Sequence, residues 1–226
     1  MPLSKPVIIA QGIGGAMRIG ATILLAPWLR PRYSRWNATM LEASESMPGD
    51  EYVPESKSLL TLAVTVNAEP ESIWPWLVQL GCGRGGWYSY DLLDNGGVAS
   101  AEGIIPEHQS IAVGDKVAAV PGGSMSFPVS MVEPNRLLVL GGTLDTANNQ
   151  SVEPGQPLPE KYFGGSQIYR LVPVAEGKTR LIFRNRMTWN SSRVLSLVYR
   201  GIVEPITYNM GRRMLLNLKW RAEALR

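Results

Sequence analysis

The chain has 226 residues, 45% of them apolar and 18% charged, enough for one domain with a sizeable core. Its net charge of +3 does not call for a nucleic acid, and no basic strip interleaved with aromatics recurs along it. A single cysteine, Cys82, excludes an intrachain disulfide, and a single histidine, His108, excludes a multi-histidine metal site.

Residues 6–29, PVIIAQGIGGAMRIGATILLAPWL, are apolar except for Gln11, Arg18 and Thr22. At 100° per residue those three fall within about 40° of one another, which predicts a helix with one narrow polar stripe. Gly12, Ala16 and Gly20 form a small-residue row suited to close helix contact. The length suffices to cross a bilayer, but Arg18 at the centre costs roughly 2.5–3.5 kcal/mol on insertion scales. The same arginine breaks the apolar run that a secretory signal needs. Three readings stay open: a helix on a membrane surface or on protein, a true span, and a helix buried on its own domain. We place this helix and a basic linker at 1–35, and one domain at 36–226. The expected location is cytoplasmic, with membrane association through residues 6–29.

Residues 37–47 predict a short helix capped by Asn37 or Thr39, and PGDEYVPES (48–56) a turn and linker. KSLLTLAVTVNA (57–68) alternates as a strand does. EPESIWPWLVQL (69–80) predicts a helix opened by Glu69-Pro70 and bent at Pro75. A long connection leads to a strand near 116–120. Two strands follow in 125–142, joined at Glu133-Pro134-Asn135. The polar, proline-rich stretch 143–165 predicts a mobile loop or flap. Residues 166–189 predict a hairpin around the turn AEGK. The segment 191–226 is helical, divided near Pro205, with its apolar face on Ile206, Met210, Met214 and Leu218.

That order, a strand, short helices, antiparallel strands and a long C-terminal helix, fits an α+β helix-grip fold, in which a curved sheet grips a helix over a cavity. The stretch VNAEPESIWPWLVQLGCGRGGWYSYDLLDN (66–95) resembles the SRPBCC superfamily, the START-like and polyketide cyclase-like proteins. Ala68, Pro70, Glu71, Ile73 and Trp74 match its first strand-to-helix element. GRGGWYSYD, the lead-in at Trp36, Ala38, Thr39 and Pro48-Gly49-Asp50, and PEHQSIAVGDKV (106–117) resemble a narrower bacterial subgroup. The resemblance covers roughly 36–226 and leaves 1–30 without guidance. It implies a cavity for a hydrophobic small molecule such as a lipid, polyketide or isoprenoid. It does not imply one reaction, because members bind, transfer or cyclise such ligands.

The glycines of GCGRGGW follow a helix, and no G-K-[ST] or βαβ unit accompanies them, so nucleotide binding is rejected. Gly81 suits a helix C-cap. Trp87 and Tyr90 are candidate cavity walls, with the Tyr88 and Tyr90 hydroxyls to orient a ligand; core packing explains the same aromatics equally well. Arg84 needs a carboxylate or several carbonyls. Asp91 or Asp94 is its expected partner, with a ligand carboxylate or enol oxygen as the alternative. Arg184 and Arg186 share one face of a strand, opposite Phe183 and Asn185. Facing inward, Arg184 would anchor an acidic head group; facing outward, it would be solvated. If the protein is an enzyme, His108 with Glu107 or Glu102 is the candidate acid/base group of a metal-free cyclase or dehydratase. No cofactor or metal is expected, and Cys82 is expected to be inert packing. A third class is a membrane-tethered interaction protein.

Overall fold

The computed structural model describes residues 4–224. Helices α1 (Lys5–Leu24), α2 (Ala26–Tyr33) and α3 (Met40–Ser44) precede the first strand, β1 (Ser58–Val66). Then come α4 (Pro70–Val78), α5 (Asp91–Asp94), β2 (Lys116–Ala118), β3 (Ser126–Glu133), β4 (Leu137–Asp145) and β5 (Gln150–Val152). The chain ends with β6 (Tyr162–Ala175), β7 (Lys178–Trp189), α6 (Arg193–Val198) and α7 (Glu204–Ala224). The strands form one antiparallel, curved sheet in the order β1-β7-β6-β4-β3-β2, with β5 paired to β4. With α7 laid across it, this is the helix-grip architecture.

Strand alternation assigns the two faces. On the concave face Leu62, Leu138, Leu140, Tyr169, Leu181 and Phe183 pack under Met214, Leu215, Leu218 and Ala222 of α7. Gly211 lets α7 approach the sheet: a Cβ there would stand 2.9 Å from the Phe183 ring. The buried face of α7 therefore runs through Gly211, Leu215, Leu218 and Ala222, while Ile206 and Met210 are only half-buried. The convex face is covered too. Ala63, Leu137, Val139, Ile168 and Ile182 meet Met47 from the chain that precedes β1. Gly49, at φ +99°, makes the turn that brings this lead-in down; a Cβ there would meet Val139 at 2.7 Å.

Thr39 caps α3 in a full capping box with Glu42. The stretch 143–165 is more ordered than its composition predicts. β4 runs on to Asp145, pairs with β5, and β6 starts at Tyr162. Pro205 stands inside one unbroken helical run, directly after a π-helical turn at Tyr199–Val203 that alters the hydrogen-bond ladder there.

α1 packs on α5 and α7, but not through the whole polar stripe expected: Thr22 is buried, Gln11 is half-buried and Arg18 is exposed. Ile8, Gly12, Gly15 and Thr22 are its buried residues. The close row is Gly12 and Gly15, against Leu92 and Tyr90; Gly20 has open space and Ala16 is exposed. Thr22 Oγ1 accepts from Asn209 Nδ2 of α7 at 3.0 Å. Arg30 of α2 grips Glu204 with two bonds of 2.8 and 3.1 Å, and Ser58 donates to the same carboxylate at 2.6 Å.

Candidate functional site

A cavity of about 350 Å³ lies between α7 and the concave side of β3, β6 and β7. That is at the small end of the roughly 300–1,000 Å³ usual for small-molecule sites. Phe127, Phe163, Phe183, Met187, Met210 and Met214 supply most of its apolar wall. Exposed Met125 marks its lip. Polar side chains enter from three directions. Gln167 and Asn185 come from the sheet, Thr207 from α7, and Ser89 and Asp94 from the segment carrying the glycine loop.

That loop holds the cavity's rim. Gly81 and Gly86 exchange backbone bonds of 3.1 and 3.0 Å, closing a small hairpin; both have positive φ. A Cβ on Gly86 would meet Ser100 Oγ at 2.4 Å. Ser100 Oγ in turn accepts from the Tyr88 N–H and donates to Asp91. The chain leaves this knot with Trp87 directed to the cavity. Its indole N–H donates to the Ala119 carbonyl at 3.2 Å, and its ring meets Phe127 edge-on.

The structure divides the expected aromatic wall. Trp87 lines the cavity, whereas Tyr88 and Tyr90 do not. Tyr88 is in the core; its hydroxyl accepts from Gln79 Nε2 at 2.7 Å, and burial pushes its pKa up to about 12. Tyr90 sits beneath α1 against Gly15, with the Arg213 guanidinium 5.6 Å above its ring. Spacing of aromatics alone did not reveal which of the three would turn inward, because Tyr88 takes φ +54° and breaks the alternation.

Arg84 is not held by Asp91 or Asp94. It donates at 3.0 Å to the carbonyls of Val78 and of His108. Burial lowers its pKa, and the charge of Asp115 works against that. His108 contributes its backbone to this contact from a half-buried turn. Glu102 and Glu107 are exposed, and His108, Glu107 and Glu102 all lie outside the cavity wall.

Arg184 faces away from the cavity, yet it is not solvated. At 1% exposure it donates to Asp50 Oδ2 at 2.6 Å and to the carbonyls of Glu42 and Glu45. Arg186 lies beside the same carboxylate, 3.4 Å from Oδ1, and bonds the Val53 carbonyl. The Pro48-Gly49-Asp50 lead-in thus supplies the counter-charge for the arginine face. Cys82 is buried, and burial pushes its thiol pKa up, which suits inert packing.

Asp94 is the site residue that sequence reasoning missed as such. It lines the cavity, and its Oδ1 is buried with no hydrogen-bond partner. Burial first, then the neighbouring Asp91 charge, push its carboxyl up to about 7. The Ser89 side chain and the backbone of Tyr90 and Asp94 pull the other way. Ser89 Oγ and Asn185 Oδ1 are also buried, line the cavity and lack partners. An apolar cavity with a few convergent polar groups and a perturbed carboxyl is the usual physical form of a binding site.

No family model matches the chain, and no curated protein matches it either. Solved structures do align with it. Protein MLL2253 from Mesorhizobium loti is 16% identical, with 74% of this chain and 98% of that one covered at a TM-score of 0.38. CalU16 from Micromonospora echinospora is 13% identical, with 74% and 84% covered at a TM-score of 0.32. Hypothetical protein jhp0584 from Helicobacter pylori is 11% identical, with 80% and 97% covered at a TM-score of 0.46. These likenesses are loose, and the fold rests on the strand order and the placement of α7.

Proposed function

We propose that the protein binds a hydrophobic small molecule, such as a lipid, polyketide or isoprenoid, in the cavity beneath α7. The observation that carries this is the apolar wall enclosing three unpartnered polar atoms, on Ser89, Asp94 and Asn185. Buried polar atoms left without partners are costly, and a ligand that completes them recovers that cost. The SRPBCC resemblance of residues 66–117 supports the same reading. At about 350 Å³ the cavity favours a single chain or a compact ring system over a two-chain lipid. Native mass spectrometry of protein purified from its own host tests this. The expected result is an added small-molecule mass that disappears in Met210→Trp, which fills the cavity. A bare mass for the unaltered protein, together with no uptake of the neutral dye Nile red, would remove the reading. Turnover of the extracted compound by the protein would move it to the cyclase or dehydratase class instead.

A second reading concerns α1, which is packed inside out. Ile8, Gly12, Gly15 and Thr22 face the domain, while Ile9, Ile13, Met17 and Leu24 are exposed, followed by Leu25 and by Trp28 at 73% exposure. The helix is long and apolar enough to cross a membrane. The first forty-one residues hold five cations, Lys5, Arg18, Arg30, Arg32 and Arg35, and no acid. An apolar face beside a purely basic segment suits the surface of an anionic bilayer. The protein should sediment with vesicles containing phosphatidylserine and not with phosphatidylcholine alone, and Met17→Glu should abolish this. No sedimentation with either would sink the membrane reading. Self-association removed by Met17→Glu would assign the face to a second copy of the chain.

A further inference from the structure

The cavity's polar atoms are not scattered evenly. Ser89 and Asp94 stand on the rim segment, and Asn185 stands on β7 across from it. Ser89 is 6% exposed and Asn185 7%, so water does not serve them freely. Asn185 Nδ2 is already committed to the Ser166 carbonyl at 3.2 Å, which leaves its Oδ1 as a pure acceptor. Asp94 offers a donor when it holds its proton and only acceptors when it does not. No arginine or lysine lines this cavity among the described residues, so nothing there would balance a ligand carboxylate. Gln167 and Thr207 complete the polar lining, and the rest of the wall is hydrocarbon, sulfur and aromatic ring.

We propose that Asp94 and Asn185 form a proton-gated polar subsite for an uncharged apolar molecule, with Asp94 donating to a carbonyl oxygen and Asn185 accepting from a hydroxyl. This rests on the binding reading above and adds the ligand's polar chemistry to it. The gate follows from the surroundings of Asp94. Burial and the Asp91 carboxylate on the same helix hold its proton up to about 7. Cys82 lies behind it, with its thiol donating to the Asp94 carbonyl at 3.1 Å, and burial keeps that thiol neutral. α1 carries Lys5 and Arg18, and α7 carries Glu204, Arg212, Arg213, Lys219, Arg221 and Glu223; among the described residues Asp91 is the one whose charge registers at the carboxyl. Loss of the Asp94 proton removes the donor and places a carboxylate against the ligand carbonyl. Neutral carbonyl ligands are therefore held below neutrality and released above it.

The test is displacement of Nile red by a long-chain methyl ketone, an acceptor only, and by the alkane of equal length. Measurements at about pH 5.5 and about pH 8.5 bracket the titration. The ketone should bind more tightly than the alkane at the lower pH and lose about tenfold at the higher one, as the protonated fraction falls. The alkane should be indifferent to pH. Asp94→Asn, whose amide donates at every pH, should keep ketone binding and lose its pH dependence. Asn185→Leu should weaken a hydroxyketone severalfold more than it weakens the ketone. Equal binding of ketone and alkane overturns the proposal, and so does a pH dependence that survives in Asp94→Asn. Failure of Nile red itself to bind would instead overturn the cavity reading beneath it.

Discussion

β7 carries two opposite treatments of buried polarity on its two faces. On the convex face Arg184 and Arg186 are met by Asp50 and by backbone carbonyls from the lead-in chain. On the concave face Asn185, one residue along, keeps an acceptor without a partner, and Asp94 across the cavity does the same. On the convex face both arginines find acceptors inside the protein, although Asp50 Oδ1 and the Thr188 hydroxyl beside them have no hydrogen-bond partner. The concave face differs in that its unpartnered atoms line an apolar cavity, the arrangement on which the proposed binding rests. Burial does not distinguish the two; a counter-charge on one face and an adjoining cavity on the other do.

The sharpest way to break this comparison is Asp50→Ala. It would strand Arg184, which is 1% exposed, beside the equally deprived Arg186. Removing one partner of a buried pair costs about 3–5 kcal/mol. Urea unfolding should show a loss of that size, while Nile red still binds at temperatures where the variant is folded. A loss under about 1 kcal/mol would mean that the convex arginines are solvated after all.

The next effect is smaller and depends on pH. The carboxyl of Asp94 sits at about 7 in the folded chain, above the ordinary aspartate value of about 3.9. A raised folded value means that the native state binds the proton more tightly than the unfolded chain. Its contribution to stability is thus complete below about pH 4 and is lost as pH rises through about 7. Asp94→Asn has no proton to lose. Thermal melts should therefore show the variant gaining on the unaltered protein across that window and levelling off above it. Pairing with Asn removes from the comparison the opposite trend of Glu42 and Glu223, whose pKa values are lowered by their partners Arg180 and Lys219. A gap that is constant with pH would show that Asp94 titrates normally.

The fold was legible because its signals are local. The alternation of 57–68, the hairpin around AEGK and the placement of Pro205 each fix one element without help from distant residues. The site was legible only in part. Trp87 stood out as a large aromatic after glycines, but Asp94 is an unremarkable aspartate until burial and Asp91 act on it. Its charge neighbours are local, but the cavity walls around it come from β3, β7 and α7, which are far apart in the chain. The same holds for Arg184. Its partner Asp50 lies 134 residues earlier, and only the turn at Gly49 brings the two together. A Pro-Gly-Asp lead-in next to a strand with two arginines on one face was the available signal. For α1 the periodicity gave the stripe, but not which side of it would face the domain. Apolar residues usually turn inward; here Gly12 and Gly15 offer the closer fit, and the hydrocarbon was left outside.

Arg84 sharpens the comparison from a third position. It is a half-buried cation with carbonyl partners and no carboxylate within bonding distance, intermediate between the paired convex face and the open cavity. Arg84→Ala removes two charge-assisted bonds to the Val78 and His108 carbonyls. It also relieves the burial that lowers the arginine's pKa, and it strands no buried carboxylate. The two changes oppose each other, so the expected loss is about 1 kcal/mol, well below that of Asp50→Ala. The carbonyls it leaves can take water, because the residue is only half-buried. Ligand binding should be unchanged, since Arg84 lies outside the cavity wall. The Arg84→Lys variant should recover little, because one ammonium does not reproduce the guanidinium's reach to two carbonyls. A loss near that of Asp50→Ala, or selective loss of acidic ligands, would show that Arg84 serves a carboxylate in solution, and the division between paired and open faces would have to be redrawn at the glycine loop.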